Sequence, residues 1–139
     1  MSYLIDTSIL SELSRKTPNA AVVEWFAERP AGRLHLSVLS LGEIRKGIEN
    51  MSQGKRKSRL VDWLEIDLPA FFGERVLPVD IQVADRWGRL VAQVGRPVPA
   101  IDSLLAATAL HHDLALVTRN VRDFAFTGLE VINPWQGSV

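Results

Sequence analysis

Four acidic side chains stand where strands end or helices begin. Asp6 follows the apolar run Tyr3-Leu4-Ile5. Glu43 and Asp102 fall in the first turns of predicted helices, and Asp123 lies in a turn soon after Ala115-Leu116-Val117. A charge at the end of a buried strand is costly unless something compensates it. In an open α/β sheet, strand ends and helix starts share one edge, so residues far apart in sequence can meet there. Gathering carboxylates is unfavourable by itself: two unit charges about 4 Å apart repel by about 4 kcal/mol at an effective dielectric of about 20. Either some take up protons or a divalent cation relieves them. Oxygen-only ligands suit the hard ions Mg²⁺ or Mn²⁺. One or two such ions can activate a water, stabilise in-line phosphoryl transfer and support the leaving oxygen. The chemistry expected of this set is metal-dependent phosphodiester hydrolysis.

Each acid also has a plainer reading. Asp6 can cap the helix that follows it. Glu43 lies three residues after Ser40, the spacing of a capping box. Asp102, just before Ser103, fits a helix start, and Asp123 fits a turn. Asp80 and Asp85 read as a helix cap and a solvated helix residue. Thr7 or Ser8 can cap the first helix, and Ser8 is also placed to act near a metal or phosphate. His35 falls in a predicted strand, and His111 and His112 at a helix end. No H-x-x-x-H pattern joins them, so they read as structural. A Walker A loop and a G-x-S-x-G elbow are both absent from the sequence.

The elements that must position these acids alternate. Strands are expected at about 3–5, 34–38, 76–79, 115–117 and 131–132, and helices at about 7–13, 18–29, 40–51, 55–68, 80–94 and 103–112. Tyr3 to Ile5 lacks polar alternation, which fits a strand buried on both faces of a parallel sheet. Leu41, Ile44, Ile48 and Met51 recur at helical spacing, as do Val83, Trp87, Leu90 and Val94. Gly54 breaks the chain before Lys55. Pro69 should end or kink the helix it follows. The alternation predicts an α/β domain with a central, mainly parallel sheet.

At 139 residues the chain suits a single domain, 1–139. Its 16 basic and 16 acidic residues balance, unlike a dedicated DNA-binding domain, so contact with nucleic acid must come from local patches. No apolar run approaches the about 18 residues of a membrane span, and Asp6 falls where a signal peptide needs an apolar core. The chain has no cysteine, which excludes thiolate–zinc sites and thiol catalysis and suits a reducing cytoplasm.

Five segments in order, LIDTSILSEL at 4–13, SVLSLGEIRKGIE at 37–49, GERVLPVD at 73–80, GRPVPAIDSLLAATALHHDLALVTRNVRDF at 95–124 and EVINPW at 130–135, resemble the PIN-domain family, specifically VapC-like toxins of the FitB-related branch. The resemblance implies a three-layer α/β/α PIN fold. It also implies a ribonuclease whose acids hold Mg²⁺ or Mn²⁺, acting as the toxin of a type II toxin–antitoxin pair. By the same resemblance Asp6 and Asp102 are metal ligands, and Glu43 matches the glutamate of the GEI-type helix. The segment 118–124 supplies the fourth polar position. Asp123 is its only carboxylate and the favoured fourth acid. Asn120 stands where many members carry an aspartate and competes for that role; otherwise Asn120, Thr118 and Ser8 orient ligands or substrate. The implied partners are an RNA substrate, a second copy of the chain, and a small DNA-binding antitoxin that blocks the site and supplies the contact for an assembly on DNA.

Gly54-Lys-Arg-Lys-Ser-Arg59 is the densest positive patch, readable as a solvated helix start or as an RNA contact. Arg45, Lys46, Arg119 and Arg122 lie nearer the acids in sequence and are the first candidates for substrate positioning. Trp25, Trp63, Trp87 and Trp135 read as core or interface residues. Two other functions remain open: a PIN-fold binding module with weak or no activity in an antitoxin–DNA complex, favoured by Asn120, and a metal-dependent phosphatase with a closed pocket.

Overall fold

A computed structural model describes residues 1–136. Strands β1 (Tyr3–Ile5), β2 (Leu34–Ser37), β3 (Val76–Leu77), β4 (Ala115–Val117) and β5 (Val131–Ile132) form one sheet in the order β3-β2-β1-β4-β5. Every neighbouring pair is parallel. The helices are α1 (Thr7–Leu13), α2 (Ala20–Ala27), α3 (Val38–Glu49), α4 (Lys55–Asp62), α5 (Leu68–Phe72), α6 (Ile81–Val94) and α7 (Ala100–His111).

Alternation along the central strands builds two cores. Ile5 and Val117 face one way, into a cluster with Ile9, Val22, Ile44 and Leu60 from α1 to α4. Leu4 and Leu116 face the other way, into a cluster with Val83, Leu90, Leu105 and Phe124. Leu4, Ile5, Leu116 and Val117 are fully buried. Each such side chain contributes about 1.5–3 kcal/mol by leaving water. The result is the expected α/β/α sandwich.

Local departures have identifiable causes. β2 ends at Ser37, whose hydroxyl accepts from the Leu39 N–H at 3.0 Å and caps α3. Ser40 is therefore inside the helix, its hydroxyl buried without a hydrogen-bond partner among the described residues. The expected Ser40–Glu43 capping box does not form. Pro69 does not end its helix: α4 passes through a π turn at Trp63–Asp67 into α5. Such a turn absorbs the lost proline N–H without breaking the rod. α7 begins at Ala100, earlier than expected, directly after Pro99. α6 is capped as expected, with Asp80 accepting from the Val83 N–H at 2.9 Å, and it stops at left-handed Gly95 (φ 71°).

Candidate active site

In the sheet order, the chain runs outward from β1 on both sides, through β2 to β3 and through β4 to β5. A crevice at the carboxyl ends of β1 and β4 follows from that reversal. Ile5 pairs with Val117, so the next residues, Asp6 and Thr118, emerge side by side. The Thr118 hydroxyl donates to Asp6 Oδ2 at 2.8 Å. The Ser8 hydroxyl donates to the same oxygen at 2.7 Å, and the Ser8 N–H approaches it at 3.4 Å. Asp6 is thus the N-cap of α1, and the same carboxylate stands at the carboxyl end of β1, where the site reading puts it. Only 6% of its surface is exposed, and hydroxyl donors stabilise its charge without neutralising it.

Thr7 ties the next acid in. Its hydroxyl donates to Glu43 Oε1 at 2.7 Å, joining α1 to α3. Asp102 sits half-buried in the first turn of α7. Burial pushes its carboxyl above the usual aspartate range, and the nearby charges of Asp123, Asp6 and Glu43 push it further. Each of the three other acids bears on Asp102, so the four converge on one edge. Asp123 lies exposed in the short turn Val121–Phe124. Asn120 precedes that turn and donates its backbone N–H to the Thr118 hydroxyl at 3.0 Å. This bond holds the loop against Asp6 through Thr118.

None of the four acids has an ion-pair partner within 4.0 Å among the described residues. Nor are three Asp, Glu, His or Cys side chains already gathered into a metal cage there. All the donors are oxygens, and the excess negative charge is unrelieved. This set fits a hard divalent cation held by a few carboxylates that retains several waters.

Beside the acids runs an open groove of about 530 Å³ between α1, α3 and α4. Ser8 and Glu43 line its acidic end, and Arg15, Arg56, Arg119, Trp63 and Trp135 line the rest. The groove at Glu43 is an open one, where the phosphatase reading expects a closed pocket. Of the cations expected at the site, Arg119 lines the groove, whereas Arg45 pairs with Glu65 at 2.9 Å. Lys46 lies along a second hollow on the other side of Glu43. The histidines lie elsewhere: His111 and His112 meet edge to face at 4.8 Å. Trp87 donates to the Ser103 hydroxyl at 2.9 Å, and Trp25, Trp63 and Trp135 pack on the first core.

The sequence reading missed Thr7 as the holder of Glu43. It also missed Glu12, which is 6% exposed. Glu12 accepts from the Asn19 N–H at 2.8 Å; that bond holds its carboxyl below the usual range, and Arg15 adds to the effect. A charged residue set among Ile9, Leu10 and Leu13 in α1 was the available signal.

Residues 3–127 match the family model described as PIN domain. The chain is 36% identical to the VapC ribonuclease Y4jK of Sinorhizobium fredii over 96% of its length and 97% of that protein's. It is 33% identical to the toxin FitB of Neisseria gonorrhoeae, over 95% of this chain and 97% of that one. Among solved structures, FitAB bound to an IR36 DNA fragment superposes with a TM-score of 0.89 at 31% identity, covering 99% of this chain and 98% of that one. The chain belongs to the PIN-domain family, in its branch of VapC- and FitB-like toxins.

Proposed function

We propose that this protein is a metal-dependent endoribonuclease, the toxin of a type II toxin–antitoxin pair, acting on RNA phosphodiester bonds. The observation that carries this reading is the convergence of Asp6, Glu43, Asp102 and Asp123 beside an open groove, in a chain of the PIN-domain family. Asp6 and Asp102 would hold Mg²⁺ or Mn²⁺, with Glu43 and Asp123 completing the set. Bound there, the cation would supply Lewis-acid stabilisation of the phosphoryl group and a more acidic water. The chain's own residues prepare for this. Ser8 and Thr118 fix Asp6 in one rotamer, Thr7 fixes Glu43, and the Asn120 N–H fixes Thr118. The single carboxylate in the fourth segment favours Asp123 as the fourth acid, and leaves Asn120 to hydrogen-bond substrate.

By kinship with FitAB, the partner is a small DNA-binding antitoxin that covers the groove, in an assembly on operator DNA with two copies of this chain, in the cytoplasm. No helix among the described residues is long and apolar enough to cross a membrane. Cleavage of RNA by the purified protein with Mg²⁺ or Mn²⁺, in chelator, and as Asp6→Asn and Asp102→Asn tests the reading. Loss in chelator and in both variants is expected. Variants that cut as well as the parent would place the chemistry elsewhere.

A further inference from the structure

The cations near the site are not equivalent. Arg45 is paired with Glu65, while Arg122 and Lys46 make no side-chain hydrogen bond or aromatic contact among the described residues. Arg119 is held at both ends. Its backbone N–H donates to the Ser8 hydroxyl at 3.2 Å, and that hydroxyl donates to Asp6 at 2.7 Å. Its guanidinium carbon lies 5.1 Å from the centre of the Trp135 ring. Trp135 is fixed in turn: its N–H donates to Asn133 Oδ1 at 2.9 Å, Pro134 beside it is buried, and its ring packs on the first core. Arg119 itself is exposed, and it lines the groove with Trp135, Ser8 and Glu43.

A guanidinium stacked on an indole uses its face and leaves its N–H edge free. That edge matches two oxygens of a phosphate. A cation already laid in place loses less freedom on binding than a mobile side chain. We propose that Arg119 clamps a phosphate of single-stranded RNA beside the Asp6–Glu43 edge, and that Trp135 is the positioning residue that lays its guanidinium there. The proposal rests on the ribonuclease reading and deepens it. It gives the Asn133-Pro134-Trp135 tail a role, and it supplies a neutral chain with one prepared point of grip on a polyanion.

The test uses the full chain carrying Asp102→Asn, Mg²⁺, and a short labelled single-stranded RNA followed by fluorescence anisotropy. Arg119→Ala should weaken binding about tenfold, the worth of one charge-assisted contact. It should also reduce the slope of log affinity on log salt by about 0.7, one phosphate on a single strand. Arg119→Lys should keep the slope and bind more weakly than the parent. Trp135→Phe should bind like the parent, and Trp135→Leu like Arg119→Lys. Added to Arg119→Ala, Trp135→Leu should cost nothing more, a result that a merely structural tryptophan would not give. Equal affinity and slope in Arg119→Ala and a parent that does bind RNA overturn the clamp alone. The same result with lost binding of an acidic peptide assigns Arg119 to a protein ligand instead. If the Asp102→Asn protein binds no RNA and the unmutated chain cleaves none with Mg²⁺ or Mn²⁺, the ribonuclease reading falls together with the clamp.

Discussion

The two ends of α7 carry charges that the fold resists, for related reasons and with opposite consequences. Asp102 lies in the first turn, where the helix dipole favours a negative charge, yet its carboxyl is pushed up by burial and by Asp123, Asp6 and Glu43. His112 caps the other end, where the dipole favours a positive charge, yet its imidazole is pushed down by burial and then by His111, with Asp80 opposing and His35 adding. At both ends local surroundings outweigh the macrodipole. The difference lies in the neighbours. Around Asp102 they are all of one sign, and one of them, Glu43, lines the open groove, so under the proposed function a cation would resolve the conflict. Around His112 they are mixed, and its Nε2 and the Nδ1 of His35 are buried without partners among the described residues. There the neutral ring is the resolution. One end of the helix leaves its charge in conflict, and the other settles it by packing a neutral ring.

Asp102→Asn should break the comparison most sharply, because its effects on activity and on stability have opposite signs. Under the proposed function RNA cleavage should fall on the order of a thousandfold, as loss of a ligand to a cation that stabilises the transition state would give. The metal-free protein should unfold at a higher temperature than wild type, since a disfavoured charge is gone. A lower melting temperature in chelator would show that Asp102 is not held against its neighbours.

Thr118→Val probes the same end through its support. It removes a buried donor to Asp6 while keeping shape. Residues that orient ligands typically matter by about 10- to 100-fold in metal affinity or activity. A kcat loss of that size, with Asn120 also released from its bond, is expected. Unchanged cleavage would mean that Ser8 alone holds Asp6.

The pH dependence of cation binding should follow Asp102. A carboxyl whose folded pKa is raised binds its proton more tightly when folded, so metal-free stability rises as pH falls through the folded pKa toward the unfolded value of about 3.9. Protons and cation compete for the site, so the melting-temperature increase caused by Mg²⁺ should shrink over that same range. In Asp102→Asn the dependence should flatten. A Mg²⁺ shift equally steep in both proteins would assign the titration to another acid.

How much of this was legible beforehand depended on whether local sequence or a distant partner decides each feature. The alternation of elements, the two-sided burial of β1 and the Asp80 cap were readable, because period and capping are local. The start of α3 was not. Val38 is β-branched and continues the apolar alternation of Leu34 and Leu36, and Ser40-x-x-Glu43 imitates a capping box, but Ser37 takes the cap and Thr7, 36 residues away in sequence, takes Glu43. The four acids were visible as types and positions, whereas the charge conflict at Asp102 exists only after folding. Arg119 over Trp135 joins residues that no spacing rule connects.

The smallest effect belongs to the histidine end, and its sign is opposite to that at Asp102. A histidine with a lowered folded pKa takes its proton more readily when unfolded. Stability is therefore complete above the ordinary imidazole value of about 6.5 and is lost as pH falls from there through the folded pKa. His112→Gln keeps a polar side chain and cannot titrate, so it should flatten part of the acid-side fall in melting temperature. Only the His112 part of the slope should go, and some slope should remain. Cleavage at neutral pH should be unchanged, because no hydrogen bond among the described residues links His112 to the acids. A variant that loses cleavage while keeping its acid sensitivity would mean that the two ends of α7 are coupled, and that the conflict at Asp102 is set partly from the far end of the helix.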